Sequence, residues 1–385
     1  MTLAALIVFW LSAGSLGYVY FAYPLIVRAL AAVVGRPAKG ASGHRPTVTV
    51  VISAYNEQKS IAAKLANVLA LEYPPELLDV VVVSDASSDR TDQIVREYGS
   101  PRVRLLRVEG RLGKTACQNE AVASARGAIV VFSDATTCIK PDALSLMMES
   151  FADPQVGCVA GLLIYEGKGR NLTASGGVSY WGYEIALRSA ESRLGTLIGV
   201  SGCLYAVRRS QYRPIAPALI SDFVIAMRMR EQGLRTVLEQ RAVCYEETLD
   251  RSGQELAMRV RVALRSINAL ASERRFMNPF VDPLYAWQLW SHKVLRYASP
   301  YCLLLTLAAS LALAGRSFYR LVLLLGCALL MAGIGGFLLQ LSARRAGLLG
   351  RPYYFLLTNL AAAIATARFI MGERMVTWNP IRQRE

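Results

Sequence analysis

Residues 79–85 read D-V-V-V-V-S-D. Four consecutive valines suit a strand and leave no polar face, which predicts a strand buried on both sides. The run stops abruptly at Ser84-Asp85. The same grammar recurs twice. T-V-T-V-V-I-S (47–53) leads into Tyr55-Asn56-Glu57, and an apolar run over 128–132 leads into Ser133-Asp134. Residues 102–108 and 156–165 read as two more strands. Between the strands, Ile61, Leu65, Val68 and Leu69 give residues 58–71 a helical period. Residues 88–98, with Ser88 or Asp89 as N-cap, read as a helix, as do 114–125 and 141–151, the last with Pro at its start. Continuous apolar strands alternating with helices predict an α/β fold whose mostly parallel sheet is covered on both faces. Such a sheet gathers ligands beyond the carboxyl ends of its strands. A lone strand-end Asp usually caps a turn. Acids at three strand ends of one sheet share a crevice.

The rest of the chain is unusually apolar. Hydrophobic residues make up 54% of 385. Residues 1–27, 297–315 and 321–343 contain no charged side chain, and a shorter run, 353–367, ends at Arg368. A bilayer core takes about 20 apolar residues per helix, so the first three runs qualify and the fourth does so only with tilt. The N-terminal run lacks a basic start and is longer than the apolar part of a signal peptide, so a retained anchor is expected. Net charge is +15, from 43 basic and 28 acidic residues. Arg28, Arg36, Lys39 and Arg45 follow the first run, Lys293 and Arg296 precede the second, and Arg344, Arg345 and Arg351 follow the third. That bias places the polar block on the cytoplasmic side of a cell (inner) membrane. The basic tail disagrees, since four crossings would put it on the opposite side. No nucleic-acid motif is present, and the charge is assigned to lipid headgroups and an anionic substrate.

Seven scattered cysteines (117, 138, 158, 203, 244, 302 and 327) form no C-x-x-C and read as free thiols. His44 and His292 are the only histidines, which argues against a His-based triad or a zinc enzyme. The N-L-T sequon at 171–173 has no meaning in the cytoplasm. No G-x-G-x-x-G or P-loop appears, which disfavours an NAD enzyme or a P-loop ATPase. Further on, 180–192 and 222–232 look helical. Residues 256–271 form a basic amphipathic helix with Arg259, Arg261 and Arg265. Residues 283–297 carry Trp287, Trp290, His292, Lys293 and Arg296, as suits a helix in the headgroup layer.

The crevice has the makings of a nucleotide-diphosphate site. Glu57 and Asp85 offer acceptors for a base and ribose. Lys114 and a metal on Asp134 offer positive charge for the diphosphate. Gly113-Lys114 opens a helix, whose backbone N–H groups suit an anion. Asp222 is the candidate base for an attacking hydroxyl.

Six segments in order carry a resemblance: V-V-I-S-A-Y-N-E (50–57), V-V-V-S-D-A-S-S-D-R-T (81–91), G-K-T-A-C-Q-N-E-A (113–121), V-F-S-D-A (131–135), V-S-G-C-L-Y-A-V-R (200–208) and I-S-D-F (220–223). Over residues 47–270 the chain resembles the membrane-bound glycosyltransferase family 2, the branch of cellulose, hyaluronan and poly-N-acetylglucosamine synthases. The resemblance implies a GT-A fold and inverting transfer from a nucleotide-sugar, a UDP-sugar first among them. The acceptor would be a hydroxyl of a glycan or lipid-linked molecule, with Mg2+ or Mn2+ as cofactor. It implies that Tyr55, Glu57 and Asp85 hold the nucleoside, Lys114 lies near the donor, Asp134 takes the metal and Asp222 is the base. Arg259 and Arg261 would face the diphosphate or, by charge pattern alone, form a solvated or headgroup-facing side of their helix. Three departures stand out: the metal motif is Asp134-Ala135-Thr136, without a second acid; the base motif is Ser221-Asp222, with one acid; and the stretch M-R-V-R-V (258–262) lacks the Gln and Trp of processive synthases. The first implies a weakened metal site, the last a weaker case for a long-chain polymerase.

The expected organisation is an N-terminal membrane helix (1–34), a cytoplasmic catalytic domain (45–275), an interfacial helix (278–296), a membrane region of two or three helices (297–372) and a basic tail (373–385). Two other readings compete. A sugar nucleotidyltransferase would need an early Gly-rich basic loop to grip a triphosphate, and none is present. A noncatalytic membrane scaffold or transporter would leave the strand-end acids without purpose.

Overall fold

The computed structural model describes residues 2–166, 172–247, 252–341, 347–375 and 377. The sequon's Asn171, Arg344, Arg345 and most of the tail lie outside these. The chain divides into two compact units.

One unit, residues 34–166 and 188–247 with the tail, holds an eight-stranded sheet. Its strands are β1 (Val48–Ala54), β2 (Leu78–Asp85), β3 (Val103–Val108), β4 (Ile129–Asp134), β5 (Cys138–Ile139), β6 (Val156–Glu166), β7 (Leu204–Arg208) and β8 (Arg235–Glu247), in the order β3-β2-β1-β4-β7-β6-β8-β5. β1 to β4 run parallel, as their uninterrupted valines require: β1 and the four valines of β2 are buried throughout. Beyond β4 the sheet becomes mixed. β7 enters antiparallel between β4 and β6, β6 and β8 are parallel, and the two-residue β5 closes the far edge antiparallel to β8.

The helices are shorter than their periodicity suggests: Ile61–Leu69, Thr91–Glu97, Lys114–Ser124 and Ala143–Ser150. Their entrances are turns. Ser60 and Ile61 both donate to the Glu57 carbonyl, so the chain turns before the helix starts. The N-cap of the Thr91–Glu97 helix is Arg90 and not Ser88 or Asp89; one residue before it, the Asp89 carboxylate accepts from Thr91 N at 3.0 Å. All seven cysteines are free thiols.

The other unit, residues 1–33, 167–187 and 248–373, is helical where described. Four of its helical stretches are long and apolar enough to cross a membrane: Leu3–Val34, Pro283–Ala312, Ser317–Gln340 and Gly350–Ile370. Trp10 and Leu304 are 57% and 65% exposed, and Leu11, Leu25, Leu324 and Met331 are exposed as well. Rows of exposed large apolar side chains suit a surface covered by lipid. The headgroup-type segment 283–297 is not separate from the run that follows it. One π-helical turn, Trp290–Val294, joins it to Leu295–Ala312. There His292 Nε2 meets Glu184 Oε1 at 2.7 Å, and Arg296 donates to the other carboxylate oxygen at 2.7 Å.

Candidate active site

The carboxyl ends of β1, β2 and β4 carry the predicted residues, and their loops are cross-tied. Asn56 turns into the left-handed region at φ +53°, and Ala86, just past β2, does the same at +55°. Non-glycine residues hold this conformation only where their surroundings enforce it. Here Asn56 Oδ1 accepts from Ser88 N at 2.8 Å, and Glu57 N donates to Thr91 Oγ1 at 2.8 Å. The buried Glu57 carboxylate accepts from Ser60 Oγ at 2.5 Å.

Asp85 is wholly buried. Its carboxylate accepts from Leu112 N at 2.7 Å and from Gly113 N at 3.2 Å. Of the Gly113-Lys114 N–H groups expected to face an anion ligand, that of Gly113 is therefore taken by Asp85. The loop they belong to needs Gly113 at φ +90°. It delivers Arg111, whose guanidinium lies 3.4 Å from the Tyr55 ring centre and 3.5 Å from Asp85 Oδ2. Tyr55, Asp85 and Arg111 thus form one aromatic and charged patch.

Lys114, the first residue of the next helix, donates its ammonium to Asp134 Oδ1. Burial alone would lower the Lys114 pKa, but the Asp134 and Asp222 carboxylates outweigh it and raise the value. Asp222 sits in the first turn of the helix Ser221–Glu231. The loop before it is tied to the Lys114 helix by Thr115 Oγ1 on Leu219 O and Asn119 Nδ2 on Ile215 O, both at 2.8 Å. Gly202 lies between these groups. A Cβ there would come 2.8 Å from Asp222 Oδ2 and 3.2 Å from Lys114 Nζ. Lys114 and Asp222, remote in sequence, meet at this glycine, and the Lys114 ammonium also holds Asp134.

Arg111, Gly202, Cys203 and Glu246 also belong to this region, and the sequence did not single them out. Thr136 Oγ1 donates to Glu246 Oε1 at 3.3 Å, and Cys203 Sγ lies 3.2 Å from Glu246 Oε2. Arg259 is engaged in the other unit: Nε donates to Glu255 Oε1 at 2.7 Å, and the guanidinium stacks on and donates to Tyr354. Arg261 lies on the same helix, Ser252–Ser272. Among the described residues, no three His, Cys, Asp or Glu side chains already form a metal cage.

Residues 49–213 match the family model "Glycosyl transferase family 2". The chain carries a family 2 glycosyltransferase domain. Poly-beta-1,6-N-acetyl-D-glucosamine synthase of Staphylococcus epidermidis is 25% identical over 222 residues, 56% of this chain and 53% of the relative. The enzyme of that name from Staphylococcus aureus (strain COL) is 24% identical over 270 residues, 65% and 64% of the two chains. The matches thus span about half to two thirds of these relatives. A mannosyltransferase from Pyrobaculum calidifontis, solved in complex with GDP-Man and Mn2+, superposes with a TM-score of 0.73 at 24% identity. That match covers 97% of this chain and 99% of the other. The glycosyltransferase domain has the GT-A fold.

Proposed function

We propose that the protein is a membrane-anchored inverting glycosyltransferase that moves a sugar from a nucleotide-sugar to a hydroxyl of a glycan or lipid-linked acceptor. The observation that carries this reading is the Lys114 ammonium joined to Asp134, at the carboxyl end of a GT-A strand, and meeting Asp222 beside Gly202. Tyr55, Asp85 and Arg111 supply a planar face and charge suited to the nucleoside. Lys114 is held protonated beside the diphosphate position.

In the reaction Asp222 takes the proton from the acceptor hydroxyl as its oxygen attacks the anomeric carbon. The bond to the nucleoside diphosphate breaks on the opposite face. A single displacement inverts the centre, so one base suffices and no covalent nucleophile is needed. Gly202, having no side chain, leaves Asp222 room at that position.

A divalent cation, Mg2+ or Mn2+, fits this donor set. Asp134 and Thr136 offer hard oxygens. The thiol of Cys203, pushed well up by burial and by nearby Glu246 and Asp134, stays protonated and offers no thiolate to a softer metal. When bound, the cation would neutralise charge on the diphosphate leaving group. The Mn2+ and GDP-Man of the structural neighbour and the polysaccharide synthases among the relatives support the same reading. The basic residues flanking the spans support a multi-pass protein of the cell membrane with this domain on the cytoplasmic side.

The test is release of nucleoside diphosphate by the purified full-length protein from UDP- and GDP-sugars, with and without Mn2+. Asp222→Asn keeps the shape and removes the base, so turnover should fall by about a hundredfold or more. Donor binding should persist. Unchanged turnover in this variant would sink the assigned role.

A further inference from the structure

The motif Asp134-Ala135-Thr136 lacks its second acid, but the fold brings an acid to the same turn from a distant part of the chain. β5 begins four residues after Asp134 and pairs antiparallel with the end of β8, with Cys138 opposite Tyr245 and Ile139 opposite Cys244. The turn between β4 and β5 is thereby fastened to Glu246. Thr136 Oγ1, the atom occupying the missing acid's position, donates to Glu246 Oε1 at 3.3 Å. The Cys203 thiol reaches the second oxygen from the neighbouring loop at 3.2 Å. Both contacts orient the carboxylate. Asp134 opens the same turn, whose Thr137 N donates to the Asp134 carbonyl at 3.2 Å, and the Lys114 ammonium covers its carboxylate. A hard divalent cation gains from several anionic oxygens on one turn.

We propose that Glu246 is the second carboxylate of the divalent-cation site, supplied by β8 in place of residue 136. The proposal rests on the reading that Asp134 holds the cation. It also removes the expectation of a weakened site, because the charge lost from the motif is restored from another strand.

The experiment is a titration of the full-length protein in detergent with Mn2+ alone, followed by the free-ion electron paramagnetic resonance signal. It is repeated with UDP and, separately, with GDP. Glu246→Gln should weaken Mn2+ binding about tenfold or more, as Asp134→Asn should, with the melting temperature kept. Thr136→Asp combined with Glu246→Gln should return the affinity to near the wild-type value. Thr136→Asp alone, which leaves Glu246 in place, should tighten binding by less than about threefold. If Asp134→Asn weakens binding and Glu246→Gln does not, Glu246 is only a hydrogen-bond acceptor, and this proposal falls while the cation site stands. A tightening of about tenfold by Thr136→Asp alone would mean that the second carboxylate had been missing, with the same consequence. If neither acid variant changes Mn2+ binding, the cation reading falls and takes the proposal with it.

Discussion

Beneath the Asp134 turn, the ammonium of Lys64 donates to Ser133 Oγ at 2.7 Å and to Thr137 O at 2.6 Å. It is 2% exposed, and burial pulls its pKa down to about 8. Below that pH both folded and unfolded chains carry the proton, and the folded state bears the full cost of a buried charge. Between about pH 8 and pH 10.4 the folded chain has released the proton while the unfolded chain keeps it, so stability rises with pH across that window. A tenfold difference in proton affinity between the two states is worth about 1.4 kcal/mol. In paired melts of wild type and Lys64→Met, the wild type should therefore gain on the variant from pH 8 to pH 10; parallel profiles would refute the buried-ammonium account. Lys64 is an alternative use of the residue types that mark the site, and sequence does not separate the two. Asp134, Asp85 and Lys114 were legible because each stands where a buried run or a helix begins or ends. Glu246 and Cys203 were not, since their role depends on a register between strands that no local pattern encodes.

The same contrast holds for whole elements. The runs of β1, β2 and β4 are buried on both faces and read directly from their valines. β7 and β8 escaped notice because β7 is short and follows a Gly-rich loop, while β8 mixes Glu, Gln and Arg with apolar residues on a half-covered edge. The loop at 111–113 is the element that links the nucleoside patch to Lys114. It is pinned by the Asp85 carboxylate through charge-assisted bonds to two backbone N–H groups. Asp85→Asn can replace only part of that acceptance, and its amide group places a donor against N–H donors. The loop should loosen, taking Arg111 off Tyr55 and Lys114 out of line. Affinity for UDP or GDP should drop about tenfold in calorimetry, consistent with the loss of one charge-assisted bond of about 1.5 kcal/mol. Full retention of nucleotide affinity would show that the loop keeps its shape without the pin.

For the molecule as a whole, the open question is how many helices cross the bilayer. The sequence left a conflict: four crossings separate the basic tail from the other basic flanks. Within the helical unit, Gly350–Ile370 does not stand alone against lipid. It packs along the basic amphipathic helix Ser252–Ser272, joined through Arg259, Glu255 and Tyr354 near its start and through Asn268 Nδ2 on Glu373 O, at 3.4 Å, just past its end. A fourth helix spanning the hydrocarbon would draw that partner in with it, together with Glu255, Arg259, Arg261 and Arg265. Each charge at the bilayer centre costs about 2.5–3.5 kcal/mol even on the most lenient scale. One apolar helix gains too little to offset four of them. The favoured arrangement keeps the pair at the interface, where the arginines meet headgroups and the apolar face of Gly350–Ile370 rests on Ser317–Leu341. Three crossings then leave the tail on the same side as the glycosyltransferase domain, with the other basic flanks except Arg316 and Arg320 of the loop between the second and third spans. In a cysteine-free background, Arg316→Cys should react with a membrane-impermeant maleimide in intact cells. Glu385→Cys should react only after permeabilisation. Labelling of Glu385→Cys in intact cells would mean that the fourth helix crosses and that its charged partner finds its neutralisation inside the membrane.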